Sequence, residues 1–220
     1  MRIVVLGATG TTGGLVVKEA LAAGNKVVAF VRRPEALPTR EGLTVVSGAV
    51  EDQAAMRASF AGADAVISCL GARMSPRILI HGTDFQRRGL PTIVSAINEA
   101  AVRRFVLMSS FGVGETAAKA SIFARFLLYS VIAKKLFDDK AIAERSLSGC
   151  KANWTAVYPV TLTKRPAIPV DELIPLSKVR KVPGLPLLPF ANVAKTLVGL
   201  VPDESQAGQK LLHTVPGGWQ

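Results

Sequence analysis

The chain has few cysteines, and those it has do not form a pattern. Cys69 and Cys150 are its only two cysteines in 220 residues, too few for a disulfide framework and without the spacing of a metal site. Two isolated thiols are typical of a protein kept in a reducing compartment. We therefore expect a cytoplasmic protein with buried or half-buried thiols and no bound metal.

Long uninterrupted apolar runs are also lacking. The first apolar run, Ile3 to Leu6, is too short for a secretion signal, and no stretch reaches the ~18 uncharged apolar residues that span a bilayer. The longest candidate, "SIFARFLLYSVIA" over residues 121–133, is shorter and includes Arg125. It predicts a buried or lid-like helix, with a membrane-surface or dimer contact as the alternative.

Acidic residues are outnumbered, 16 against 27 lysines and arginines, which gives a net charge of +11. Such an excess favours anionic partners without identifying one. No nucleic-acid-binding module accompanies the charges, so we expect a solvated basic surface and no nucleic-acid partner. The basic residues are scattered in pairs and triplets: Arg103/Arg104, Lys134/Lys135, Lys164/Arg165 and Lys178/Arg180/Lys181.

What the chain does have is an alternation of short apolar runs with helical stretches. Because the runs are apolar throughout, they predict strands covered on both faces, as in a doubly wound parallel α/β sheet. The predicted strands are residues 2–6, 26–30, 43–47, 64–69, 104–109 and 154–158, with a late strand near 211–215. The predicted helices are residues 12–23, 52–60, 83–101, one ending near 135, 137–148 and 192–201.

We expect all 220 residues to form one domain. The segment of about 160–190 contains too many prolines for an uninterrupted helix, and we expect it to form the substrate-side wall. Parallel crossovers bring the strand ends to one edge of the sheet, where ligands bind.

The first strand leads into a glycine motif, Gly7-x-x-Gly10-x-x-Gly13, that opens a helix. In this position Gly7 permits a tight turn, Gly10 lets the backbone approach a pyrophosphate, and Gly13 lets helix and strand pack closely. Backbone N–H groups at the helix start then face the anion. The motif predicts a dinucleotide site.

The end of the second strand indicates which dinucleotide binds. Sites for NAD usually carry an acid there, whereas this chain has Arg32 and Arg33. An acid would repel a 2′-phosphate, and guanidinium groups bind it in bidentate fashion. The sequence therefore predicts NADP(H).

Together, "GATGTTG", "VRRPEAL", "DAVISCLGA", "LMSSFGVG" and "LSGCKANWTAVYP" resemble the atypical short-chain dehydrogenases/reductases, which have a Rossmann-type fold. The resemblance is to the NAD(P)H-binding branch that contains biliverdin-IXβ reductase/flavin reductase and NmrA-like proteins. It covers Met1 to about Pro159.

The resemblance implies a role for each matching position. The phosphates would be held by Gly7, Thr9, Gly10, Thr11, Thr12 and Gly13. The 2′-phosphate would be bound by Arg32, and the adenine would lie beside Val50. The cofactor's ribose would be followed by Leu70 and Gly71, and the adenosine end would be clamped with the help of Arg73. The nicotinamide would lie near Ser109, Ser110, Tyr158, Pro159, Val160 and Thr161.

Three departures from the family pattern matter. Ala49 stands where an acid commonly bonds the adenine, and Phe190–Ala194 replaces a Ser-x-x-Asp-Val-Ala pattern. The Tyr-x-x-x-Lys dyad of many dehydrogenases is missing, because Tyr129 and Tyr158 lack a lysine four residues later. Lys140 has a suitable position, but Leu136 stands where its tyrosine would be.

Chemistry without that dyad favours conjugated acceptors, which delocalise charge after hydride arrives and take their proton from solvent. We therefore expect an NADPH-dependent reductase of a planar, anion-compatible small molecule such as a flavin, quinone or tetrapyrrole. The catalytic candidates are Ser109, Ser110 and Lys140. Ser109 and Ser110 either bond the acceptor or cap a turn, and Lys140 either contacts ribose or substrate or is solvated.

Other functions stay open at this point. An NADP(H)-binding sensor of NmrA-like type is the alternative, and the missing dyad disfavours an epimerase or dehydratase. The sequence is compatible with a monomer or a homodimer.

Overall fold

The computed structural model describes residues 1–71, 83–121 and 131–220. Arg73, Tyr129 and residues 122–130 of the apolar stretch lie outside the described residues, as do the side chains of residues 131–134. The predicted roles of Arg73 and of that stretch therefore stay predictions.

Ten strands are present in the described part of the chain. Their bounds are β1 Arg2–Leu6, β2 Lys26–Val31, β3 Leu43–Ser47, β4 Ala65–Ser68, β5 Arg104–Met108, β6 Asn153–Pro159, β7 Thr161–Thr163, β8 Glu172–Pro175, β9 Leu187–Pro189 and β10 Gln209–Thr214. Eight of them form one sheet in the order β3-β2-β1-β4-β5-β6-β10-β8, while β7 and β9 pair separately. Every pairing in the large sheet is parallel except that of β10 with β8. The expected doubly wound parallel sheet is confirmed.

Five α-helices accompany these strands in the described ranges. They are α1 Thr11–Ala22, α2 Gln53–Phe60, α3 Phe85–Glu99, α4 Val131–Ala143 and α5 Phe190–Gly199. Helix α1 packs against α5, and α3 packs against both α2 and α4. The central strands β1, β2, β4, β5 and β6 are almost fully buried, as the hydrophobic runs predict, whereas the edge strand β3 is only half-buried.

The predicted helix boundary between Lys135 and Phe137 is wrong. Helix α4 continues through it, because neither glycine nor proline interrupts the chain there. The α-helix then stops at Ala143 instead of Ser148 and continues as a 3₁₀ turn, Glu144–Gly149. The hydroxyls of Ser146 and Ser148 donate to carbonyls three residues earlier, which favours the tighter turn.

The predicted solvated surface does not include Arg104. Its side chain is 3% exposed, and its guanidinium donates to the carbonyls of Leu200 and Asn153 and to the Thr155 hydroxyl. Arg104 therefore joins β5, β6 and the end of α5, and takes no part in an anion-binding surface. Its neighbour Arg103 is exposed and pairs with Asp64, as the solvated interpretation predicts.

Candidate functional site

The glycine turn between β1 and α1 has the close packing that its sequence predicts. Gly7 has a φ of +80°, and a Cβ there would come 2.8 Å from the Cys69 carbonyl oxygen. A Cβ on Gly13 would overlap the Gly7 carbonyl, while the Gly10 amide donates to that same oxygen at 2.9 Å. The turn admits no side chain at Gly7 or Gly13, so helix and strand meet through bare backbone.

Helix α1 begins at Thr11, with Gly10 as its N-cap and no side chain capping it. First-turn N–H groups have no partner within a helix, so they are available to an anion. Thr9 lines the cavity in front of this turn, Thr11 is exposed, and Thr12 is buried. The backbone cradle fits a dinucleotide pyrophosphate.

A cavity of about 120 Å³ extends from the turn along the strand ends. Arg32 lines it at the end of β2, whereas Arg33 lies outside its lining and precedes the 3₁₀ turn Pro34–Ala36. The structure thus separates two arginines that the sequence treats alike. The cavity lining comprises Leu6, Gly7, Thr9, Gly10, Phe30, Val31, Arg32, Gly48, Val50, Cys69, Leu70, Gly71 and Phe85.

Gly48 precedes the departure at Ala49 and packs against an aromatic ring. A Cβ on Gly48 would overlap the Phe30 ring, so the ring packs directly on the backbone of that loop. Val50 follows as a buried residue in the same lining, where the resemblance expects the adenine.

Leu70 and Gly71 also line this cavity, and Leu70 is held by a residue that sequence reasoning missed. The amide of Gln86, in the first turn of α3, donates to the Leu70 carbonyl at 2.7 Å. Gln86 is 8% exposed. Its buried amide fixes the end of β4 relative to α3.

Ser109 and Tyr158 share one carboxylate. The Ser109 hydroxyl donates a short hydrogen bond to Oε1 of Glu144, and the Tyr158 hydroxyl donates to Oε2 at 2.6 Å. Both side chains are almost fully buried. Burial and the nearby Glu144 raise the pKa of the Tyr158 phenol far above its ordinary value, so this phenol is a poor acid.

Ser110 pairs with Lys140 instead. The Lys140 ammonium donates to the Ser110 hydroxyl oxygen at 2.8 Å. Burial lowers the pKa of Lys140 to about 8, against the opposing effects of Glu144 and Asp139. Lys140 is thus half-buried and bonded to Ser110, and its contact with ribose or substrate stays a prediction.

A second cavity of about 240 Å³ begins at Ser110. Ser110 and Thr161 supply its hydroxyls, and the described part of its wall has no charged side chain. The lining comprises Ser110, Phe111, Phe137, Pro159, Val160, Thr161, Leu162, Val182, Gly184, Leu185 and Pro186. The proline-rich segment forms part of the wall of this cavity through Val182, Gly184, Leu185 and Pro186. Its role as a substrate-side element stays a prediction.

The structure therefore divides the predicted residues into two groups. Seven of them line the first cavity: Gly7, Thr9, Gly10, Arg32, Val50, Leu70 and Gly71. Four line the second: Ser110, Pro159, Val160 and Thr161. Ser109 and Tyr158 point instead to Glu144, which the sequence signals only by its spacing of four residues from Lys140 on a helix.

A glycine turn of dinucleotide-binding type between β1 and α1, in a doubly wound parallel sheet, defines a nicotinamide-dinucleotide-binding protein of the Rossmann type. Residues 7–204 match the family described as NAD(P)H-binding. The chain belongs to this family, which confirms the expected NAD(P)H-binding branch and its NAD(P)H cofactor.

Two solved structures show how widely this fold is shared. A short-chain dehydrogenase/reductase from Veillonella parvula, in complex with NADP, superposes with a TM-score of 0.83 at 17% identity, covering 100% of this chain and 96% of that one. The anaerobillin reductase ChuY from Escherichia coli O157:H7 superposes with a TM-score of 0.80 at 20% identity, covering 98% of each. At these identities the likeness shows the fold.

A curated relative is more similar in sequence but much longer. The photosystem II assembly factor Ycf39 from Synechocystis is 32% identical over 111 residues. The matched stretch is 50% of this chain and 33% of that protein, so the match spans about a third of the relative's length. Among the described residues, no helix is both long enough and apolar enough to cross a membrane.

Proposed function

We propose that the protein is an NADPH-dependent oxidoreductase that reduces a planar, conjugated and uncharged acceptor of the quinone class. The observation that carries this proposal is the hydrogen bond from Lys140 to Ser110, a residue that lines the apolar cavity. It puts a proton source beside the space for an acceptor, on the sheet edge that also has the dinucleotide turn.

The preference for NADPH over NADH is supported by Arg32. This exposed guanidinium lines the cavity at the end of β2, where the ribose of the adenosine would lie. A guanidinium attracts a 2′-phosphate in either of its ionised forms. The NADP-bound relative from Veillonella parvula supports the same choice.

The reaction requires a hydride and one proton. The glycine turn would hold a reduced nicotinamide dinucleotide, which would supply the hydride and so leave the acceptor as a hydroquinone anion. The Ser110 hydroxyl gives its proton to that anion and takes one from the Lys140 ammonium, and the resulting amine is reprotonated by water. The electrons balance, since the cofactor loses the two electrons that the acceptor gains.

The acceptor class follows from the walls of the second cavity. Phe111, Phe137 and the flanking prolines offer apolar surfaces suited to a flat ring, with Ser110 at one end. Burying a carboxylate or phosphate without a charged partner is costly. These walls favour a quinone over the flavin phosphates and carboxylated tetrapyrroles that the basic surface would also suit.

The test is NADPH oxidation under anaerobic conditions with a naphthoquinone, FMN and biliverdin. We expect turnover above the free-cofactor background, fastest with the naphthoquinone. Ser110→Ala and Lys140→Met should each lower kcat about tenfold or more, as loss of a general acid does. Lys18→Met, on the exposed face of α1, is the matched control and should have no effect.

Two outcomes would overturn the proposal. Saturable NADPH binding without turnover of any acceptor would favour the NADP(H)-sensing alternative. Faster turnover of biliverdin or FMN than of the naphthoquinone would overturn the assignment of an uncharged acceptor.

A further inference from the structure

The Glu144 carboxylate bonds side chains from two neighbouring strand regions, β5 and β6. Glu144 begins the 3₁₀ turn that follows α4, one helical turn beyond Lys140. From there one carboxylate oxygen accepts from Ser109, after β5, and the other accepts from Tyr158, on β6. A single carboxylate thus connects the C-terminal extension of α4 to the ends of two neighbouring strands.

This arrangement fixes the direction of three hydroxyl protons. Ser109 and Tyr158 both donate to Glu144, so neither has a proton to give elsewhere. The Ser110 oxygen accepts from Lys140, which leaves the Ser110 proton free to point into the cavity. Of the two adjacent serines, only Ser110 therefore presents a donor to an acceptor.

Two carboxylates, Asp139 and Glu144, act on the Lys140 ammonium, and they differ in their other hydrogen-bond partners. On its own helix, Asp139 accepts from the backbone amides of Gln86 and Arg87, at 2.9 and 3.1 Å. From α3, Gln86 contributes an uncharged side chain to the small cavity that Lys140 and Glu144 also line. Tyr158 on β6 stays a neutral phenol, so Glu144 and Asp139 are the anions that act on this ammonium.

We propose that Glu144 is a positioning residue for the reduction: its carboxylate orients the Ser109 and Tyr158 hydroxyls and supplies the negative charge that keeps Lys140 protonated. The catalytic part of this inference rests on the proposed function, since it assumes that Lys140 recharges Ser110. The electrostatic part concerns the cofactor-free protein and stands by itself.

The electrostatic part is tested by NMR titration of cofactor-free protein that carries ¹³Cε-labelled lysine. The Lys140 resonance, assigned from its absence in Lys140→Met, should titrate near pH 8 in the unchanged protein. In Glu144→Gln the midpoint should fall by about one pH unit or more, because a nearby opposite charge has been removed. Glu41→Gln, an exposed acid on the loop before β3, is the matched control and should leave the midpoint unchanged.

The catalytic part is tested by the pH dependence of kcat with NADPH and a naphthoquinone. Activity that needs the Lys140 ammonium is lost as pH rises through its pKa, so the alkaline limb should move to lower pH in Glu144→Gln. Tyr158→Phe and Ser109→Ala keep the carboxylate and should leave the limb in place. These two variants can be measured even if Glu144→Gln does not fold. Each removes one hydrogen bond to Glu144 but keeps the negative charge of its carboxylate.

The outcomes separate this inference from the proposed function. An unchanged Lys140 midpoint in folded Glu144→Gln would overturn it, leaving Glu144 as a structural anchor that affects only the melting temperature. A shifted midpoint with no turnover of any acceptor would keep the electrostatic role and overturn the proposed function. If Glu144→Gln does not fold, a limb that moves in Tyr158→Phe or Ser109→Ala would also contradict the inference.

Discussion

Arg32 is the residue on which the choice of dinucleotide depends. We expect Arg32→Asp to raise the dissociation constant for NADPH at least tenfold, about 1.4 kcal/mol, because a carboxylate replaces the partner of the 2′-phosphate. NADH affinity should change little. Isothermal titration with both cofactors measures the difference.

Arg33→Asp is the matched control for this prediction. It makes the same charge change one residue away, outside the cavity lining. Equal losses for NADPH and NADH, or a larger loss of NADPH affinity in Arg33→Asp than in Arg32→Asp, would contradict the assignment of the 2′-phosphate to Arg32.

The lowered pKa of Lys140 makes the free energy of unfolding depend on pH. Its pKa falls from 10.5 in the unfolded chain to about 8 in the fold, so between these values the folded state binds fewer protons than the unfolded state. The free energy of unfolding that this group contributes therefore rises with pH over the same window. Relative to Lys140→Met, the unchanged protein should gain stability from pH of about 8 to 10.5.

Urea unfolding of both proteins across that window measures this difference. The comparison with Lys140→Met matters because the Cys69 thiol also affects stability in this window. Its pKa is 9.0 in the unfolded chain, and burial raises it to about 12 in the fold. Parallel stability profiles for the two proteins would show that Lys140 is not desolvated as its surroundings indicate.

The residue scale also shows what the sequence could not predict. Ser109 and Ser110 are adjacent and chemically identical, yet one bonds Glu144 and the other Lys140. Their different partners depend on where α4 and its 3₁₀ extension lie against β5 and β6. This packing depends on residues far apart in the sequence, so it cannot be predicted from two adjacent serines at a strand end.

At the scale of elements, Asp139 joins two helices. Its buried carboxylate accepts from the Gln86 and Arg87 amides at the start of α3, and so caps a helix to which it does not belong. Asp139→Asn should lower the free energy of unfolding by about 1–2 kcal/mol, because an amide has one acceptor oxygen for two N–H donors. Chemical denaturation measures the loss.

Asp52→Asn is the matched comparison. Asp52 caps its own helix α2 through a single bond to the Ala55 amide, and asparagine caps equally well there. Its stability should be unchanged. An equal loss in both variants would contradict the two-amide cap by Asp139.

Strands were the elements best predicted from the sequence. The runs at residues 2–6 and 43–47 coincide with β1 and β3. Continuous apolar character is typical of a buried strand such as β1, whereas β3 lies at the edge of the sheet and is only half-buried. The short strands β7, β8 and β9 were not predicted, since their proline-rich segment carries no periodic pattern. Asn192 fixes part of that segment by bonding the backbone of Ile168 and the Asp171 carboxylate, a long-range contact that local patterns do not reveal.

For the whole molecule, the decisive property is that one sheet edge carries both cavities. The glycine turn at β1 and the serines at β5 are about a hundred residues apart in sequence, and parallel crossovers bring them to the same side. The fold and the dinucleotide turn were predictable because both depend on local signals repeated along the chain. The proline-rich segment was expected to form the substrate-side wall, but the make-up of the second cavity was not predictable, since it combines residues after β5 with residues of α4, β6, β7 and the segment before β9.

The most direct measurement is a crystal structure of the protein with NADP⁺. The pyrophosphate should lie on the turn from Gly7 to Gly13, the 2′-phosphate should contact the Arg32 guanidinium, and the nicotinamide should face Ser110 at the entrance of the apolar cavity. A dinucleotide bound in the reverse orientation, or away from the first turn, would contradict the account.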